Sequence, residues 1–228
     1  MIVLISPSKT FSNTTSKGKT KPVFIDKALR LKQQLKRLTI DEIKTTFKLS
    51  EKLASEVFGY YQNDQLEVAA INLYDGVLYK ELRTCDLTFE NNKLYIFSAL
   101  YGILRPFDSI SKYRLDFNTK ELGNLYNYWQ EGIINYFKKT YQNEIIINLA
   151  SKEFSPLIKG LNNVITIDFR DENNQRLSSV RLKKLRGTLA NNIINGKINN
   201  INELKKAKVE ELKYNKELSN ESNIIFSI

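Results

Sequence analysis

Leu94-Tyr95-Ile96-Phe97, followed closely by Leu100-Tyr101-Gly102-Ile103-Leu104-Arg105-Pro106-Phe107-Asp108, is the stretch on which the reading of this chain turns. The first four residues form an apolar, aromatic-rich run of the length of a buried strand. The run from Leu100 has neither strand alternation nor helical recurrence, and it carries a glycine, an arginine and a proline. It continues through Tyr113-Arg114-Leu115-Asp116-Phe117. A long irregular stretch inside a compact domain is functional or disordered, and this one is too aromatic to be disordered. It reads as an ordered loop that holds Arg105 and Arg114 in place after a strand, as an anion-binding site requires.

The pattern recurs on both sides. Ile2-Val3-Leu4-Ile5 is a fully apolar first strand, and Lys9 follows it. Glu144 to Leu149 is a β-branched strand, and Lys152 follows it. Further strands are expected at Val164 to Phe169 and Ile224 to Phe226, with a returning strand near 176–181 after the turn signal Asp171-Glu172-Asn173-Asn174. Helical spacing runs from Phe24 to Leu38, from a Thr39 cap to Phe47, and onward from a Ser50 N-cap. Val77 to Leu82, Leu125 to Tyr141, a short segment after Ser151, a segment ending at Ile194 and residues 201–206 read as further helices. No linker or internal repeat divides the chain. The expectation is one mixed α/β domain over residues 1–228, with a mixed central sheet flanked by helices and a helical lobe over 24–60.

Composition removes whole classes of chemistry. There is no histidine and a single cysteine, Cys85, so a His/Cys zinc site, a Ser-His-Asp triad and a CxxC redox pair cannot be built. Cys85 reads as a small, half-buried residue. Walker, GxGxxG and GxSxG motifs are absent, and neither a metal nor a cofactor is expected. No apolar run reaches membrane-spanning length, and the N-terminus reads as a strand rather than a signal peptide, so the expected location is cytoplasmic.

The net charge is +10, which suits an anionic partner. A lysine-rich composition would scatter charge over any solvated face, but here it clusters. From Lys9 to Lys52 there are twelve Lys/Arg against four Asp/Glu, a net of +8, and Arg181, Lys183, Lys184 and Arg186 form a second run. Lys9, Arg105, Arg114 and Lys152 each follow a strand, and ligands of open α/β sheets sit beyond strand carboxyl ends, so these four are expected to converge. Lys48-Leu49-Ser50, between two predicted helices, resembles the turn of a helix-hairpin-helix element over residues 38–60. Lys48 and Lys52 would supply charge there, and Ser50 a helix N-terminus open to phosphate. Tyr79, Tyr101 and Tyr113 are candidates to stack on bases or to hydrogen-bond phosphates, whereas Tyr126, Tyr128 and Trp129 read as core. Asp108 and Asp116 are expected to neutralise Arg105 and Arg114, and Asp75 is the remaining carboxylate in these segments.

The chain resembles the YaaA family of bacterial peroxide-stress proteins over essentially its whole length. The resemblance is carried by Ile5-Ser6-Pro7-Ser8-Lys9-Thr10, Tyr74-Asp75-Gly76-Val77-Leu78-Tyr79, Leu100 to Pro106 and Tyr113-Arg114-Leu115. It continues in Asn124-Leu125-Tyr126 with Trp129, Asn148-Leu149-Ala150-Ser151, Phe169 with Asp171-Glu172, and Arg186-Gly187. It implies a helix-hairpin-helix element, a cationic cleft for double-stranded DNA, and a cytoplasmic role in limiting iron-dependent peroxide damage. The expected partner is thus the phosphate backbone of DNA, gripped without sequence preference by Lys9, Lys48, Lys52, Arg105, Arg114, Lys152 and Arg186. The alternative is an enzyme on a small nucleotide or carboxylate, with Arg105, Arg114 and Lys9 as a clamp and Asp75 or Tyr79 moving a proton.

Overall fold

The computed structural model describes residues 1–83, 87 and 93–228; Cys85 lies outside the described residues. The chain opens with β1 (Ile2–Ile5), buried at every position, and a two-residue strand β2 (Thr10–Phe11). Three helices come next: α1 (Ile25–Lys36), α2 (Ile40–Phe47) and α3 (Glu51–Gln62). The start of α2 is set by a capping box, in which the Glu42 N–H donates to the Thr39 hydroxyl and the Thr39 N–H to the Glu42 carboxylate. Short elements succeed them: β3 (Val68–Ala69), α4 (Ala70–Leu73), β4 (Tyr74–Asp75) and α5 (Val77–Leu82). Beyond these lie β5 (Leu94–Ser98), β6 (Gly102–Leu104), β7 (Ser109–Ile110) and the long α6 (Leu125–Thr140), whose buried stripe is Leu125, Trp129, Ile133 and Phe137. The last third supplies β8 (Ile146–Asn148), β9 (Val164–Phe169), α7 (Ser179–Ile194), α8 (Ile201–Lys206), β10 (Lys208–Val209), β11 (Leu212–Asn215) and β12 (Asn223–Ser227).

Eight strands form one mixed sheet in the order β10-β11-β12-β9-β8-β1-β5-β6. Its centre, β12-β9-β8-β1-β5, is parallel, and antiparallel strands close both sides. Numbering the parallel strands in chain order gives the doubly wound arrangement 2-1-3-4-5. Val3 of β1 faces Leu94 on one side and Ile147 on the other. The chain therefore leaves β1 toward β5, crosses back, and continues outward through β8. A crevice opens where these connections part, beyond the carboxyl ends of β1 and β8. One apolar cluster runs from the sheet into the helices, making this a single mixed α/β domain. Among the described residues no helix is long and apolar enough to cross a membrane.

Two departures from the sequence reading have physical causes. The stretch read as wholly irregular contains β6, which returns antiparallel along β5 with Leu104 opposite Ile96. The strand expected near 176–181 is reduced to a single bridge between Arg170 and Arg176, because β9 is already paired on both edges by β8 and β12. The chain turns into α7 instead, where the Ser178 hydroxyl accepts from the Arg181 N–H.

The approach of α7 to α5 depends on Gly187. A Cβ there would lie 2.7 Å from both the Leu78 carbonyl oxygen and the Glu81 Cβ. Gly187→Val should therefore cost about 1–3 kcal/mol by overpacking, read as a lower urea midpoint with an unchanged slope.

Candidate anion-binding crevice

Two loops meet at the switch point. After β1 runs Ser6-Pro7-Ser8-Lys9-Thr10, and after β8 runs Leu149-Ala150-Ser151. They are tied together: the Leu149 N–H donates to the Leu4 carbonyl (2.8 Å) and the Ser151 N–H to the Ser6 hydroxyl oxygen (2.9 Å). Ser8 Oγ and Thr10 Oγ1 are 2.9 Å apart, and the Thr10 hydroxyl donates to the Asp75 carbonyl at 3.0 Å. A third loop crosses here through Gly76, whose φ of +117° suits glycine and whose missing Cβ would sit 3.3 Å from Ser8 Oγ. The Tyr79 hydroxyl, from α5, donates to the Ser6 carbonyl at 2.9 Å. These loops, Ser151, Glu153 and the α7 residues Val180, Lys183 and Arg186 enclose a cavity of about 350 Å³. A smaller cavity of about 70 Å³ lies beside it, sharing the Pro7-Ser8-Lys9 wall and lined by Tyr113, Arg114 and Asp116.

The charges around these cavities are not all spent. Lys9 reaches Asp116 at 2.8 Å, Arg114 reaches the same carboxylate at 3.5 Å, and Asp75 is held by Arg83 at 2.7 Å. Arg186 differs from them. It is only 7 % exposed, and its Nε has no hydrogen-bond partner. Among the described residues the one other buried side-chain nitrogen in that position is Nε of Arg114. Burial pulls the Arg186 guanidinium below its ordinary pKa; the nearby Asp168 carboxylate opposes that shift and Arg176 adds to it. Unpartnered buried donors are costly and rare. Arg186 lines the wall of the larger cavity.

Over residues 1–218 the chain matches the family described as Peroxide stress protein YaaA. It belongs to that family. Its relatives include a UPF0246 protein of Francisella philomiragia, 37 % identical with both chains covered in full, and one of Clostridioides difficile, 35 % identical with 99 % of each covered. A UPF0246 protein of Fusobacterium nucleatum is 35 % identical, with 100 % of this chain and 98 % of the other covered.

In this YaaA-family protein the crevice brings together Lys9, Tyr79 and Arg186, and Arg114 meets Lys9 across Asp116. The other expected cations are elsewhere. Arg105 follows β6 and is carried back toward the start of β5 by the antiparallel return. There it is clamped by the fully buried Asp108, to which its Nε and Nη2 donate at 3.0 and 2.8 Å, and Nη2 also donates to the Lys21 carbonyl. It is a structural brace for the 105–108 turn, not part of the crevice. Lys152 is exposed and does not line the cavity, although its neighbours Ser151 and Glu153 do. Lys48, Ser50 and Lys52 are exposed at the α2–α3 turn and do not line it either.

The tyrosines divide differently from expectation. Tyr101 and Tyr113 are 1 % and 6 % exposed, so neither ring can stack on a base. Tyr113 Oη lies 2.7 Å from Tyr74 Oη and 2.8 Å from Ser98 Oγ, a buried polar floor beneath the smaller cavity. Tyr126 and Tyr128 are half-buried rather than core, while Trp129 is fully buried with its indole N–H on the Ala99 carbonyl. Burial pushes the Tyr79 phenol well up, and its proton is committed to the Ser6 carbonyl, so it does not shuttle protons near neutral pH. Among the described residues no three His, Cys, Asp or Glu side chains gather to hold a metal. Sequence reasoning assigned no site role to Ser6, Ser8, Thr10 and Ser151, and noted Lys183 only as part of the basic run from Arg181 to Arg186. The available signals were hydroxyls alternating directly after a buried strand, and Lys183 set three residues before Arg186 on one helix face.

Tyr79→Phe should cost about 0.5–1.5 kcal/mol, the value of one hydrogen bond to a buried carbonyl, measured by urea denaturation. A loss within error would place the Tyr79 hydroxyl outside the support of the β1 loop.

Proposed function

We propose that this protein protects cytoplasmic DNA against hydrogen peroxide by gripping the duplex through its phosphates, limiting iron-dependent damage there. The observation that carries the reading is the α2–α3 turn. Lys48 adopts φ +52° and ψ +53°, the left-handed conformation that glycine normally supplies at a helix C-terminus. The backbone thus follows the tight path of a hairpin while an exposed ammonium is added at its tip. Just beyond it Ser50 caps α3 by accepting from the Leu53 N–H, and Lys52 is exposed in the first turn of that helix. Exposure matters as much as charge, because a duplex is too wide to reach a buried cation. The lysines of this turn are open to it, and the first quarter of the chain is strongly basic.

Membership of the peroxide-stress family supports the protective part of the reading. Cations condense along the phosphate backbone, and lysines that neutralise phosphates release them. Ferrous iron held there is displaced by the same exchange, so peroxide meets less iron against the sugar and bases.

Binding to duplex DNA should fall steeply with salt. A Lys48→Ala/Lys52→Ala double variant that loses two phosphate contacts should flatten the slope of log K against log salt by about 1.8, and Arg105→Ala should leave that slope unchanged. An unaltered slope in the double variant would sink the hairpin grip. Lys48→Gly separates geometry from charge: it should relieve about 1 kcal/mol of left-handed strain yet weaken DNA binding.

A further inference from the structure

The cavity at the switch point has features that a duplex grip does not use. Ser6, Ser8 and Thr10 line one wall immediately after the central strand, their hydroxyls bonded within the loops. Ser151 joins them from the loop after β8. Opposite them α7 contributes Lys183, exposed at the mouth, and Arg186, buried and without a partner on Nε. Lys9 and Asp75, the other charges on this wall, are each matched by a partner outside the cavity, Asp116 and Arg83. Glu153 is exposed at the rim and accepts from the Ser151 hydroxyl. The remaining lining is apolar, with Val77, Leu78 and a Val180 that is 60 % exposed at the edge. Two cations at one end, with apolar walls beyond, describe a receptor for an anionic head on a less polar body. A volume of about 350 Å³ admits a molecule of mononucleotide size and excludes a duplex.

We propose that this crevice binds a small phosphate monoester, its phosphate held by the Arg186 guanidinium and Lys183 beside the Ser6-Ser8-Thr10 loop, with its organic part against Val77 and Val180. The phosphate would neutralise the buried Arg186 guanidinium where that residue lines the cavity. The position agrees with the rule that open parallel sheets take phosphate-bearing ligands at the switch point. The proposal stands apart from the DNA grip, since it uses none of the α2–α3 residues.

Isothermal titration with inorganic phosphate, adenosine 5′-monophosphate and adenosine tests it. Both phosphate-bearing probes should bind and adenosine should not. Lys183→Ala, on an exposed helix face, should weaken both by about tenfold. Arg186→Met should abolish binding while leaving the unliganded protein about as stable as wild type, because it removes a buried guanidinium whose Nε is unpartnered; a merely structural arginine would be missed in the unliganded fold. Lys48→Ala/Lys52→Ala should titrate like wild type, which separates this site from the DNA reading. The proposal is overturned if neither phosphate probe binds at millimolar concentration, if adenosine binds as well as its monophosphate, or if Lys183→Ala and Arg186→Met both titrate unchanged.

Discussion

The two-sided pairing of β1 governs the layout of the sheet and of the crevice above it. Its four residues are buried and matched in parallel by β5 on one edge and β8 on the other. Parallel neighbours cannot be joined by tight turns, so each must be reached by a long crossover. With partners on both sides, the crossovers leave in opposite directions and the sheet is split at its carboxyl end between β1 and β8. The crevice is the gap they leave. Its floor is made rigid by hydrogen bonds from Ser151 to Ser6 and from Tyr79 to the Ser6 carbonyl, and its far wall by the close approach of α7 to α5 at Gly187.

Burial sorts the cations into three kinds. Arg105 is spent on the fully buried Asp108 and braces a turn. Lys48 and Lys52 are exposed at the α2–α3 turn, open to solvent. Arg186 is buried at the wall of the crevice, with Nε unpartnered. A single positive total conceals these roles, because Coulomb attraction at long range is common to all three while desolvation is not. The same sorting applies to the aromatic residues. Tyr74, Tyr113 and Ser98 share a buried hydroxyl network whose satisfied bonds let polar groups sit in the core.

Local signals made most of the elements legible. The Thr39 and Ser50 caps, the apolar stripe of α6, the short helix over 201–206 and the strands at 164–169 and 224–226 all arise from residue pattern within a window of a few turns. The brief strands β6, β10 and β11 were not legible, because two to four residues carry no periodicity and are held only by the edge they complete. The strand expected near 176–181 failed for the converse reason: its residues are suitable, but β9 has no free edge to offer. Part of the site was visible as well. Lys9 and Arg186 stood out by charge, whereas Ser6, Ser8 and Ser151 carry none and acquire meaning only when the β1 and β8 loops are side by side.

Residue order and composition are enough for the class of the domain, the exclusion of histidine and paired-cysteine chemistry, the membership of the YaaA family and the expectation of an anionic partner. These are properties of short-range pattern and of totals, which survive without knowledge of neighbours. Which cations are free is settled only in three dimensions. Arg105 and Arg186 look alike along the chain, but an antiparallel return carries the first to a buried aspartate, and the packing of α7 on α5 leaves the second facing a cavity. That distinction depends on strand direction and helix packing, and neither is encoded within the few residues around either arginine.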